Sequence, residues 1–351
     1  MKIPVVVIGA GACGLTAALA ARDAGREVLV LERDFSPSGS TALSSGFVPA
    51  CATRFQRGAD SPQLMFADIQ RKNQVAILYS NDSYYGIEFM KFSDRVSYRT
   101  ILRQMYSALY RANVGVDFVL PENTNLSAYK VILVPPLYIA SDAVLTRLVD
   151  YVKGGGNLVL SFKSGFCNEY STVRWEMAPG PLREAAGLHY QEFSSLLRPL
   201  ALKDDPFQAG ADNRVSEWAE MLIPDTAKPL AYYDHPFFGK YPAVARNSFG
   251  RGTLTYEGTV LSDKLQQRVL LDVLKQAGLT GPDQGLPVPV RVKHGSNRSG
   301  KTLHYYLNYS NDTQSFSYTY RSGMDLLSQA VVVQGQEIKL KPWDAAIVEE
   351  K

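Results

Sequence analysis

The 351 residues carry 37 Lys and Arg against 34 Asp and Glu, a net charge of +3, and 46% are hydrophobic. That length gives room for two or three domains with a sizeable core. So small a charge, with no Lys/Arg cluster interleaved with aromatics, argues against nucleic-acid or membrane-surface binding. Three cysteines (Cys13, Cys51 and Cys167) lie far apart with no C-x-x-C pair, so neither a disulfide scaffold nor a zinc ribbon is expected, and a reducing cytoplasm is the expected compartment.

Residues 3–8 are an apolar, β-branched run; 14–24 read as an Ala/Leu-rich helix stopped by Gly25; 27–32 (E-V-L-V-L-E) read as a second strand. Together they make one β-α-β unit. The uncharged stretch from Ile3 to Ala21 imitates a signal peptide. Gly9, Gly11 and Gly14, spaced as G-x-G-x-x-G after a strand and before a helix, explain it instead as a phosphate loop. A secretory leader is therefore not expected, and sequons such as those at Asn81 and Asn308 carry no meaning. In this arrangement the glycines let backbone N–H groups approach a pyrophosphate at a helix N-terminus. Glu32, ending the next strand, would accept from ribose hydroxyls. A Gly/Ser-rich loop (36–46) and a helix (61–72) are predicted to follow.

At Val75 the pattern restarts. V-A-I-L-Y reads as a strand, and Tyr98 to Ala112 as a helix with Ile101, Met105, Ala108 and Leu109 on one face. Val116–Leu120 and Val131–Val134 are β-branched runs. Ser141 is placed to cap a helix striped by Val144, Leu145, Leu148 and Val152 and ended by three glycines. Leu158 to Phe162 and Thr253 to Glu257 read as strands, Ser262 to Ala277 as an amphipathic helix closed by Gly278, and 163–230 as irregular. Alternating strands and helices predict a second, parallel α/β sheet. After 281–285 the pattern changes to short alternating segments, such as L-H-Y-Y-L-N-Y (303–309), which predict a small antiparallel β domain.

Two family resemblances meet near residue 73. The loop G-S-T-A-L-S-S-G-F-V-P-A (39–50), following G-A-G-A-C-G and Glu32, resembles the flavoprotein family of fumarate reductases, succinate dehydrogenases and ketosteroid dehydrogenases. Carried over by position, the resemblance implies FAD contacts at Gly9, Gly11, Gly14, Glu32, Ser40, Thr41 and Ser44. It covers residues 1 to about 72; the capping domain and the later flavin motif of that family have no counterpart. From Val75 on, V-A-I-L-Y-S-N-D-S-Y-Y-G-I, V-I-L-V-P-P-L-Y-I-A-S-D, G-G-N-L-V-L-S-F-K-S-G-F-C-N-E-Y-S, Y-D-H-P-F-F-G-K-Y-P-A, G-T-L-T-Y-E-G-T and K-L-K-P-W-D-A-A-I-V-E occur in order. They resemble the β-galactosidases of glycoside hydrolase family 42. In that family these regions are a trimerisation domain, with a fold like class I glutamine amidotransferases, and a small β-sandwich.

The expected architecture is therefore α/β. A truncated Rossmann-like βαβ segment (1–72) leads into an amidotransferase-like parallel α/β domain (73–284), followed by an antiparallel β-sandwich (285–351). The resemblance also implies self-association, possible as a homotrimer, in carbohydrate metabolism. The family's two catalytic glutamates stand on a TIM barrel of about 250 residues, for which 72 residues leave no room. No catalytic residue, no galactosidase activity and no galactoside binding are expected of this chain alone. An FAD-dependent oxidoreductase is the alternative.

Other candidates read as structural. Cys167 in G-F-C-N-E has bulky neighbours and no paired His, unlike a nucleophile at a tight elbow. Glu257 ends a strand with no visible partner. His189, His235, His294 and His304 show no ligand spacing, so no metal is expected. The aromatics of 234–238 and Tyr84-Tyr85 suit a core or subunit interface better than a sugar platform.

Overall fold

A computed structural model of the chain describes residues 5–8, 12–31 and 73–351. The chain divides into two compact units, Met1–Ala67 and Asp68–Lys351.

In the first unit β1 (Val5–Ile8), α1 (Ala12–Asp23) and β2 (Val28–Leu31) follow one another, and the strands pair in parallel from Val5↔Val28 to Ile8↔Leu31. A parallel pair needs a crossover, and α1 supplies it. Gly25, at φ +71°, takes the left-handed turn that leaves the helix. The loop expected at 36–46 and the helix expected at 61–72 lie outside the described residues.

The second unit is built on a seven-stranded sheet ordered β11-β12-β13-β6-β5-β3-β4. Its parallel part comprises β3 (Val75–Leu78), β4 (Val116–Val119), β5 (Val131–Val134), β6 (Asn157–Ser161) and β13 (Gly252–Glu257). Both faces of the central strands β3, β5 and β6 are covered, so V-A-I-L, V-I-L-V and the L-V-L of β6 are continuous apolar runs. Val75, Ile77, Val131, Leu133 and Val159 enter one core with α3 (Tyr98–Arg111) and α6 (Asp263–Gln276). Their neighbours Ala76, Leu78, Ile132, Val134, Leu158 and Leu160 enter another with α4 (Asp142–Lys153) and α5 (Arg183–Ala186). The predicted helix faces are the buried ones: Ile101, Met105, Ala108 and Leu109 on α3, and Leu145, Leu148 and Val152 on α4. Ser141 sits at the N-cap of α4 but makes no side-chain cap bond there. A further helix, α2 (Asn81–Phe89), was not legible in the sequence; Ser80 caps it by accepting from the Ser83 N–H.

The structure adds two features to the expected parallel α/β outline. The sheet is mixed, because β11 (Lys228–Tyr232) and β12 (Pro242–Phe249) extend its β13 edge in antiparallel fashion. The stretch 163–230, read as irregular, also holds β7 (Leu188–His189), β8 (Phe193–Ala201), β9 (Arg214–Glu220) and β10 (Ile223–Pro224). β8 and β9 form a three-stranded antiparallel sheet with β14 (Thr259–Leu261). β8 is largely exposed and its register shifts between Leu196 and Leu200, which erases the period-two signal.

Past the connector, β15 (Val290–Ser296), β16 (Thr302–Asn308), β18 (Gly323–Asp325), β19 (Val331–Val332) and β21 (Ala345–Glu350) form an antiparallel sheet ordered β15-β16-β21-β18-β19. The pair β17 (Gln314–Ser317) and β20 (Glu337–Leu340) packs with it over a core of Val290, Tyr306, Phe316, Ile338 and Val348. This is the predicted small β domain.

Candidate functional site at the carboxyl edge of the parallel sheet

In open α/β sheets, ligands bind outside the carboxyl ends of the strands. Here that edge is filled by the protein itself. The chain leaves β6 through Phe162 and Lys163, and Lys163 takes φ +56°, a left-handed conformation rare for a long side chain. Ser164 secures the turn: its Oγ donates to the Ser161 carbonyl (2.7 Å) and accepts from the Leu137 N–H (3.2 Å). The turn aims Lys163 Nζ into a ring of aromatics, 4.3 Å from Trp218, 4.8 Å from Phe166, 5.2 Å from Tyr138 and 5.6 Å from Phe193. Such faces attract a cation. Burial lowers the Lys163 pKa, against the pull of nearby Glu220.

Glu220, at the end of β9, is 0% exposed. Its Oε1 accepts from the Lys163 backbone N–H at 2.8 Å and from Trp218 Nε1 at 3.3 Å, and its Oε2 accepts from Tyr256 Oη at 2.9 Å. Burial outweighs these donors and pushes its pKa up to about 7. Tyr190 Oη is buried with no hydrogen bond of good geometry. Glu257, at the end of β13, accepts from Gln266 Nε2 at 2.7 Å, which is the partner the sequence did not reveal. Burial pushes it up to about 8. Both carboxyls are sealed in the core and bonded to core groups, so they can hold protons but do not meet a solute.

Cys167 is likewise buried, with its backbone N–H donating to the Tyr138 carbonyl at 2.8 Å. The histidines are engaged elsewhere. His189 Nδ1 lies 3.0 Å from Asp225, which also holds Arg183 at 3.1 Å beside a cavity of about 430 Å³ lined by Gly180, Glu184 and Thr226. His235 Nδ1 accepts from the Phe237 and Phe238 amides. His294 and His304 contact each other, a pairing that a scan for ligand spacing missed. Their placement five residues to either side of Ser299, at the tip of the β15–β16 hairpin, is the signal that could have found it. The Tyr84 and Tyr85 rings meet at 4.9 Å, tilted by 48°, with Tyr84 beneath Arg99 and Tyr85 exposed. Among the described residues no group of His, Cys, Asp and Glu could hold a metal ion, and no helix is long and apolar enough to cross a membrane.

Of the expected flavin contacts, Gly14 lies on α1; Gly9, Gly11, Glu32, Ser40, Thr41 and Ser44 lie outside the described residues. What the first unit does show is a two-stranded parallel pair with one crossover helix.

Comparison with known proteins follows the same division. Residues 73–280 match the β-galactosidase trimerisation domain. The chain belongs to that family, glycoside hydrolase family 42. Residues 4–74 match an FAD binding domain. β-Galactosidase BgaA of Clostridium cellulovorans is 28% identical over 80% of this chain and 42% of its own length. β-Galactosidase BgaB of a Geobacillus species is 31% identical over 58% of this chain and 30% of its own length. Among solved structures, a β-galactosidase from Bacillus circulans shares the fold at a TM-score of 0.74, with 23% identity, over 82% of this chain and 42% of that one. The haloarchaeal β-galactosidase of Halorubrum lacusprofundi superposes at 0.65 with 27% identity, over 79% of this chain and 39% of that one. This trimerisation-type region therefore spans less than half the length of these family members.

Proposed function

We propose that the chain is an association module of a family 42 β-galactosidase, acting in cytoplasmic carbohydrate metabolism and assembling with copies of itself as a homotrimer. Its working parts would be the trimerisation-type α/β domain (73–284) and the C-terminal β domain (285–351), with 1–72 as a partial nucleotide-binding segment. The observation that carries this reading is the contrast at the carboxyl edge of the sheet. The ionisable groups there are sealed in the core, while the neighbouring loop and β8 expose Tyr170 (81%), Trp175 (91%) and Leu197 (91%). The loop and β8 meet through Phe166 and Phe193, whose rings lie 6.1 Å apart, and large exposed apolar side chains on adjoining segments suit a contact surface rather than a catalytic cleft. Retaining glycosidases need two carboxyls about 5–5.5 Å apart in an open cleft, and neither Glu220 nor Glu257 is open. The purified chain should sediment as an oligomer and leave a chromogenic galactoside intact at high protein concentration. A dispersed monomer would sink the association, and turnover would sink the non-catalytic role.

A second reading rests on the match to an FAD binding domain: an FAD-dependent oxidoreductase, with Gly9, Gly11, Gly14, Glu32, Ser40, Thr41 and Ser44 on the cofactor. A ligand of that size binds well only when most of its surface is enclosed. This reading expects flavin absorbance after purification or reconstitution with FAD; a colourless protein that takes up none removes it.

A further inference from the structure

Four ionisable side chains converge where the C-terminal β domain meets the α/β domain. Asp283 stands in the connector turn Pro282–Gly285, His294 on β15, His304 on β16 and Glu350 on β21. The two histidines are direct cross-strand partners, with their Nδ1 atoms 2.7 Å apart. His294 Nε2 lies 2.8 Å from Asp283 Oδ2, and His304 Nε2 lies 3.0 Å from Glu350 Oε1. Tyr320 stacks on His304 at 4.1 Å and donates its hydroxyl to Asp283 Oδ2 at 2.8 Å.

Counting protons decides what this chain of contacts requires. Each of its three links involving ring nitrogens needs one proton, yet two neutral imidazoles bring only two. With both Nε2–H groups donating to ionised carboxylates, two neutral rings would oppose bare Nδ1 lone pairs. With two imidazolium rings, two Nδ1–H groups would collide. A pair holding one excess proton closes every link.

We propose that His294, His304, Asp283 and Glu350 form a proton-held clasp that locks the connector to the C-terminal β domain and loosens when the excess proton is lost. The clasp reaches the α/β domain because the same connector is tied to the end of α3. Asn113 Nδ2 donates to the Asp283 carbonyl at 3.1 Å, Asn113 Oδ1 accepts from the Val292 N–H at 3.2 Å, and Gln284 Nε2 donates to the Ala112 carbonyl at 2.7 Å. The charged and titratable groups facing the pair are Asp283, Glu350, Tyr320, Tyr318 and Tyr306. Burial pushes all three tyrosines up, so they stay neutral. Burial lowers the pKa of His304, so its own environment opposes the charge that the shared proton supplies, while His294 Nε2 lies 2.8 Å from Asp283 Oδ2. The proton is bound by the closed form and released by the open one. The proton count alone sets the sign: the closed form holds one proton more than two neutral rings, so closure weakens as pH rises and that proton leaves.

The test uses the full chain with ¹⁵N-labelled histidine and long-range ¹H–¹⁵N spectra from pH 5.5 to 8.5. Near pH 6 we expect one imidazolium and one neutral Nε2–H ring, coupled through a strongly deshielded shared proton that disappears as pH rises. Two rings that stay neutral throughout, or titrate independently, overturn the clasp. In parallel, exchange of the Val292 amide, corrected for its intrinsic pH dependence, should quicken by up to about tenfold per pH unit, the limit for one linked proton. That slope should vanish in His294→Gln; an unchanged slope there overturns the proposal. If the variant does not fold, the spectra of the unaltered chain decide.

Discussion

Glu220→Gln replaces a fully buried carboxyl by an amide of the same shape. The amide oxygen can still accept from the Lys163 N–H and Trp218 Nε1–H, and the amide nitrogen can donate to Tyr256 Oη, which now accepts. What the variant removes is the cost of ionising an acid in the core. Folding raises the Glu220 pKa from 4.5 to about 7. At about 1.4 kcal/mol per tenfold change in acidity, the full cost is about 3 kcal/mol. The sign follows from proton binding. Below pH 4.5 the folded and unfolded chains are both protonated and the cost is absent. Between 4.5 and about 7 the unfolded chain ionises while the folded one does not, so stability falls as pH rises. Above about 7 the whole cost remains. The variant should match the parent at pH 4.5 and exceed it by about 3 kcal/mol at pH 8. Urea unfolding followed by tryptophan fluorescence at pH 4.5, 6, 7 and 8 measures the difference. Parallel pH profiles, or a variant weaker than its parent at pH 8, would refute the assignment of a buried, protonated acid.

Glu257→Gln should behave in the same direction over a wider window. Burial lifts Glu257 to about 8, so its gain keeps growing beyond pH 7, to at most about 5 kcal/mol, as the same urea series extended to pH 9 would show. Gly187→Ala should cost about 1–3 kcal/mol at any pH. Gly187 holds φ +62°, an added Cβ would strike Asn247 and Thr226, and its carbonyl accepts the Asp225, Thr226 and Ala227 amides. The drop in urea midpoint measures it, and a neutral result would mean that the turn relaxes freely.

The regular elements were legible because local rules and tertiary demand agree there. The α3 stripe and the runs V-A-I-L and V-I-L-V each carry one periodicity that the core then uses. β8 to β11 were not legible, because long-range pairing and a register shift override local pattern. α2 was hidden for another reason: N-D-S-Y-Y-G-I-E-F has little intrinsic helix preference, and Ser83 is anchored through its Oγ to the Ile139 backbone, 56 residues away.

By itself the sequence determined the two family likenesses, the seam between them near residue 73, the parallel strands and the principal helix faces, all of which are written in short-range spacing. Tertiary structure alone decided the protonation states. That the pKa values of Glu220 and Glu257 are raised, that Lys163 faces four rings, and that His294 meets His304 all depend on burial and on contacts between distant strands. A side chain's charge is set by the water it loses and the partners it gains, and neither can be read from its neighbours along the chain.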